Sequence, residues 1–283
     1  MKIYLCFLLS CIFYISCADF LLHERIRAIN DAGIVTITDK HYDSLAIIIC
    51  DMWNYHWCAT AHKRIESLAY VINRVLPIAR KRGAHIIHAP SQCMEFYKNA
   101  AARINALSLC TSNKSTLSFP CEQYGICSCV NNECNVLTQY YERQTDIIKI
   151  ENTDFISDNS QEILNILQHY KIKCVVICGV HLNMCIFGRP FGIQPMKNQG
   201  INIVVARDLV DSFFNPKFYE GISYQDGNDL NINFIEQHYC PSIDSIDLTG
   251  GNNSLSRERE RERERGKSFL NLWQIAIYTA PLN

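Results

Sequence analysis

Along the chain, short apolar runs alternate with stretches whose apolar residues recur every three to four positions. After a short polar lead-in, "SLAIIIC", ending at Cys50, is continuous and rich in β-branched residues, the signature of a strand buried on both faces. From about His62 to Arg82, Ile65, Leu68, Ile72, Val75 and Ala79 share one helical stripe, closed by Gly83, with Pro77 predicted to kink it. "AHIIH" predicts a second strand, "MEFYKNAAARINAL" a second helix and "TDIIKI" a third strand. Asp158 with Gln161 signals the cap of a helix over "SQEILNILQHY", before the buried strand "CVVIC". A helix from about Met184 to near Gly200 and a fifth strand, "INIVVA", complete the alternation. The order predicts an α/β fold, a three-layer, doubly wound parallel sheet, whose ligands gather at the carboxyl ends of the strands.

The flanks differ. "MKIYLCFLLSCIFYISCADF" has one early lysine, an apolar run and small residues at Ser16 and Ala18, which predicts a signal peptide over residues 1–18 and hence a secreted chain with no membrane span after cleavage. The main domain is placed at 40–248, with a cysteine-rich insertion at about 108–138 and a low-complexity tail at 249–283. In that tail "RERERERERG" has no apolar face and is expected to be solvated. The chain has 15 cysteines. Cys110, Cys121, Cys127, Cys129 and Cys134 crowd a segment without periodicity, read as a disulfide-stapled excursion; a zinc knuckle is the weaker reading, because no second paired motif or histidine accompanies it. Sequons at Asn113 and Asn252 are compatible with glycosylation.

A net charge of −1 gives no basic face for nucleic acid, and no GxGxxG supports a nucleotide cofactor, so none is expected. At the predicted carboxyl ends of strands stand Asp51, Lys149 and Cys185. A thiol reacts as the thiolate, which a helix N-terminus and a cation favour; a carboxylate can take its proton and then activate water. Backbone N–H groups at Cys185 and near His181 could form an oxyanion hole. Taken singly, each residue has a plainer reading: a turn aspartate, an edge lysine, a half-cystine. A Cys–His dyad through His181 is the weaker arrangement, because a turn separates the two.

The chain resembles the isochorismatase-like cysteine hydrolases, the superfamily that includes nicotinamidases, from about Leu45 to Ile246. The resemblance lies in "LAIIICDMWNYHWC", in Lys149 followed six residues later by Phe155, in "GVHLNMC" from Gly179 to Cys185 and in "IVVARDLVDS" with Asp208. Within it, "HWC", "IIHAPS", "RQ", "ISD", "GRPFG" and "CPSI" are similar to a signal-bearing group. The resemblance implies an Asp51–Lys149–Cys185 triad, with Arg143 as the alternative cation, a cis peptide between Val180 and His181, and a thioester-type intermediate. It also implies a small-molecule substrate, a pocket lined by Trp53, His56, Trp57 and His88, and assembly into homo-oligomers. The Asp-x-His metal motif of nicotinamidases is absent from "IIHAPSQCMEF", so no metal is expected. The expected activity is cleavage of a small amide or related C–N bond. The alternative is a catalytically silent secreted protein that keeps the fold for binding.

Overall fold

The computed structural model describes residues 19–29, 33–109, 141–216 and 221–251. The segment predicted to be a signal peptide, nearly all of the cysteine-rich insertion, both sequons and most of the tail therefore lie outside the described residues.

Eight strands form one sheet in the order β2-β1-β8-β7-β6-β3-β4-β5. They are β1 (Phe20–Arg27), β2 (Val35–Tyr42), β3 (Leu45–Cys50), β4 (His85–Ala89), β5 (Phe155–Ile156), β6 (Cys174–Val180), β7 (Ile203–Asp211) and β8 (Ser242–Ile243). From β8 to β5 all neighbours pair in parallel. The helices are α1 (Ala59–Lys81), α2 (Ala101–Ser108), α3 (Ser160–His169), α4 (Cys185–Gly188), α5 (Ile193–Asn198), α6 (Tyr224–His238) and α7 (Ile246–Thr249). The doubly wound α/β architecture expected from the alternation is present. Its order runs outward in both directions from the adjacent pair β3 and β6, which makes their carboxyl ends the topological switch point.

Strand alternation splits the core in two. Leu45, Ile47 and Ile49 of β3 face the side packed by Ile65, Ile72 and Val75 of α1. Ala46, Ile48 and Cys50 face the side packed by Ile163 and Ile166 of α3 and Ile232 and Ile235 of α6. Burying each isoleucine contributes about 2 kcal/mol, so the unbroken apolar run of β3 serves both helical layers at once.

Several predicted elements differ. The lead-in forms the β1–β2 hairpin, an edge extension in which β2 is largely exposed. Only the second half of the predicted 94–107 helix forms; before it the N–H groups of Cys93, Phe96, Tyr97, Lys98 and Ala100 bond three residues back, in successive tight turns. Cap Asn159, not Asp158, accepts from the N–H groups of Gln161 and Glu162; Asp158 Oδ2 instead accepts from Gln92 N at 2.8 Å.

"TDIIKI" forms no strand, because Thr145 N bonds Met52 O at 2.8 Å and Ile148 N turns back to Thr145 O at 3.2 Å. The place beside β4 is taken by Phe155–Ile156. The predicted helix from Met184 to Gly200 is broken into α4 and α5 at Arg189–Gly192. Pro190 disfavours the helical conformation for the residue before it, and Arg189 is extended at φ −59°, ψ 153°.

At the switch point Gly179 pairs with Cys50 at φ +109°, and a Cβ there would lie 2.2 Å from the Cys50 carbonyl oxygen. Gly179→Ala is expected to cost about 3 kcal/mol or more from backbone strain and overlap combined. Urea unfolding should show this as a lowered midpoint, whereas Gly200→Ala, whose Cβ meets nothing within 4 Å, should lose less despite its positive φ.

Candidate active site at the sheet switch point

Asp51 is the first residue beyond β3, at φ 51°, a left-handed conformation that aspartate tolerates better than most residues. Its side chain is fully buried. One carboxylate oxygen accepts from Ser91 N at 2.8 Å and the other from Arg189 Nε at 3.0 Å. A buried carboxylate needs such partners, since without them its desolvation is uncompensated.

Cys185 opens α4 just beyond β6 and is 6% exposed. The turn before it is fixed by the His181 carbonyl, which accepts from Met184 N at 3.0 Å and Ile186 N at 3.1 Å. The Val180–His181 peptide is cis. Burial works to lower the Arg189 pKa, but the Asp51 carboxylate, with the Cys185 and Cys50 thiols, holds it above the usual value. Arg189 therefore lies within the electrostatic reach of both Asp51 and Cys185. Its Nη2 is buried with no hydrogen-bond partner among the described residues, leaving a donor for an incoming oxygen.

The aromatic wall beside this group is Trp53, stacked on Tyr141 at 4.3 Å and 19°, with the Arg189 guanidinium 6.0 Å from the Trp53 ring. Trp53 Nε1 donates to Ser91 O at 3.1 Å, and Tyr141 donates to Gln92 Oε1 at 2.6 Å. Burial pushes the Tyr141 pKa up; Arg189 opposes this and Asp51, Cys93 and Cys185 add to it.

A second buried group sits at the start of the same turn. Cys58 N donates to His56 Nδ1 at 3.0 Å, so the neutral His56 ring carries its proton on Nε2. That proton is given to His181 Nε2 at 3.1 Å, which leaves the His181 proton on Nδ1, 3.6 Å from Asp211 Oδ2. Arg64 Nε holds Asp211 at 3.2 and 3.3 Å. Trp57 and Phe213 close the group, with Trp57 5.5 Å from His56 and Phe213 5.0 Å from His181.

Of the residues expected from sequence, Asp51, Cys185 and Trp53 surround Arg189, and His56, Trp57 and His181 form the neighbouring aromatic group. Lys149 is not brought to the site. It follows a turn rather than a strand, is exposed, and its Nζ donates to Asp146 O at 3.1 Å. Arg143 is also engaged elsewhere, on the Asp146 carboxylate at 3.2 and 2.7 Å.

His88 is fully buried, with Nδ1 2.9 Å from Gln144 Oε1 and Nε2 3.0 Å from Asp154 Oδ2, so both nitrogens are occupied by the fold. Arg80 also binds Asp154 at 2.8 and 2.7 Å. Arg189 was missed by sequence reasoning; its signal was an arginine pinned before proline, four residues after the cysteine. Among the described residues no three His, Cys, Asp or Glu side chains are grouped to hold a metal. No helix among them is long and apolar enough to cross a membrane.

No family model matches the chain, and no curated protein does. Solved structures are similar at low identity. A cysteine hydrolase from Pseudomonas syringae pv. phaseolicola gives a TM-score of 0.46 at 12% identity, over 74% of this chain and 94% of that one. An isochorismatase-like hydrolase from Alkaliphilus metalliredigens gives 0.44 at 11%, over 73% and 97%. An isochorismatase family protein from Desulfovibrio vulgaris gives 0.44 at 15%, over 73% and 97%.

The His56–His181 contact predicts a pH dependence. Burial, then the His181 charge, lowers the His56 pKa from 6.5 to about 3. Below pH 6.5 the unfolded chain binds a proton that the folded chain refuses, so this contribution is full above that pH and is lost as pH falls toward 3. Urea midpoints measured between pH 7 and about 4.5 should fall more steeply for wild type than for His56→Asn.

Proposed function

We propose that the chain is a secreted cysteine hydrolase of the isochorismatase-like class, cleaving a small amide or related C–N bond without a cofactor. The observation that carries this reading is the meeting of Asp51 and Cys185 at the switch point through Arg189. The ordered sequence resemblance supports the class, and the apolar N-terminus supports secretion.

In this mechanism Asp51 takes the Cys185 proton and the thiolate attacks the substrate carbonyl. Arg189 stabilises the negative charge, filling the place expected for Lys149. Its Nη2, buried without a hydrogen-bond partner among the described residues, is the donor assigned to the oxygen that becomes anionic, together with backbone N–H groups at Cys185 and near His181. Asp51 returns the proton to the leaving nitrogen, giving a thioester, and then activates the water that releases the acid and the thiol. Trp53 and Tyr141 supply a flat apolar wall for the substrate.

An oxidising compartment would threaten exposed thiols. The seven described cysteines are all buried, and none forms a disulfide with another described residue. Burial pushes Cys93 and Cys240 up to about 12 and raises Cys174 and Cys178 as well, which keeps these thiols protonated and inert.

A panel of small amides offered to purified protein should yield at least one substrate whose turnover falls to background in Cys185→Ala and by about 100-fold or more in Arg189→Met, the scale of losing one oxyanion donor. Turnover retained by Cys185→Ala would rule out the mechanism, and no turnover across a broad panel would favour a silent binding protein.

A further inference from the structure

Away from the switch point, a cavity of about 650 Å³ opens between the β1–β2 hairpin and α7. Its lining shares no residue with the candidate active site, and it includes Arg25 and Arg207. Both side chains are largely buried, at 13% and 6% exposure.

Three arginines, two of them in the lining of this cavity, converge on one carboxylate. Glu236 is fully buried in its side chain and is already satisfied by Ser242 Oγ at 2.6 Å and Arg27 Nε at 3.2 Å. Arg27 spends its remaining donors on Gly33 O at 2.9 Å and Asn233 Oδ1 at 2.7 Å. Arg25 and Arg207 differ. Their Nε atoms reach Glu236 Oε1 only at 3.5 and 3.7 Å, and Arg207 Nη1 reaches Asp244 at 3.9 Å, contacts too long or too oblique to be hydrogen bonds.

Neither guanidinium donates a hydrogen bond to any described residue, and both Nε atoms are buried beside Glu236 without a hydrogen-bond partner. A guanidinium has five N–H donors and does not shed its charge, so these two, ion-paired to Glu236 and Asp244 but hydrogen-bonded to neither, keep donors that a further negatively charged oxygen could take. Burial, and then the charge of Arg207, acts against the charged form of Arg25, while Glu236 and Asp244 support it.

We propose that this cavity is an anion site in which Arg25 and Arg207 together hold a tetrahedral oxyanion: phosphate, sulfate or the head of a monoester. Two convergent guanidiniums match an anion of two charges and several oxygens. Asp19, Asp244 and Asp247 in the lining oppose a second anionic group, so the ligand carries its charge at one end. Leu21, Ile37 and Ile246 and the remaining volume give room for a body beyond the head.

Calorimetric titration of the full chain with inorganic phosphate, sulfate and glycerol 2-phosphate, at ionic strength held constant with sodium chloride, tests this. The expected result is saturable binding of one equivalent, with the monoester bound at least as tightly as the inorganic anions. Affinity should drop 10-fold or more in both Arg25→Gln and Arg207→Gln and be unchanged in Lys149→Ala. No saturable binding, or binding that Arg25→Gln retains, would overturn the proposal and leave the two arginines to water. If Arg207→Gln does not fold, Arg25→Gln alone decides. Inorganic anions bound without the monoester would overturn the assignment of a body to the ligand.

Discussion

A carboxylate with no exposed surface, placed just beyond the end of a central strand, constrains the rest of the site. Removing one partner from a buried ion pair costs about 3–5 kcal/mol, so the fully buried Asp51 side chain depends on Ser91 N–H and Arg189 staying in place. That requirement explains the backbone on both sides of it. The break after α4 brings Arg189 within reach, and Pro190 enforces the break by excluding helix from the residue before it. Gly192 is the next necessity: a Cβ there would lie 2.6 Å from Ile186 O, so the chain can double back into α5 only without one. Phe191, fully buried between them, anchors the turn to the core.

Sheet topology supplies the other half. Strands β3 and β6 are neighbours although more than a hundred residues separate them, and the order reverses between them. Whatever follows the two strands must meet in the crevice that the reversal opens. Asp51 and Cys185 occupy those positions, and Gly179, which no larger residue could replace beside Cys50, lets the two strands close. The second buried group, from His56 through His181 to Asp211, grips the turn that delivers Cys185, and its hydrogen bonds fix the position of each ring proton.

The fold was legible where local pattern and burial agree. The runs ending at Cys50 and in "CVVIC" could be buried strands and little else, and Asp51 and Cys185 follow from their ends. The cation was not legible in the same way. "TDIIKI" has a strand's composition, but Thr145 and Ile148 are held in a turn by contacts to Met52 and to each other, which composition does not encode. Lys149 consequently belongs to the surface. His88 suggested a pocket by its place after a strand, yet Gln144 and Asp154, distant in sequence, claim both nitrogens. Arg189 carried a local sign, the following proline, whose meaning depends on a carboxylate brought near by the sheet. The hairpin was hidden because one of its strands is an exposed edge with polar faces.

The central claim is that Arg189, and not Lys149, is the cation that governs the Cys185 thiol. The most direct measurement is the rate of Cys185 alkylation by iodoacetamide at neutral pH, followed by peptide mass spectrometry in folded wild type, Arg189→Gln and Lys149→Ala. The account predicts a rate reduced by about tenfold or more in Arg189→Gln, as expected when a neighbouring cation no longer favours the thiolate, and a rate within experimental error of wild type in Lys149→Ala. The reverse pattern, with Lys149→Ala slowed and Arg189→Gln unaffected, would contradict it.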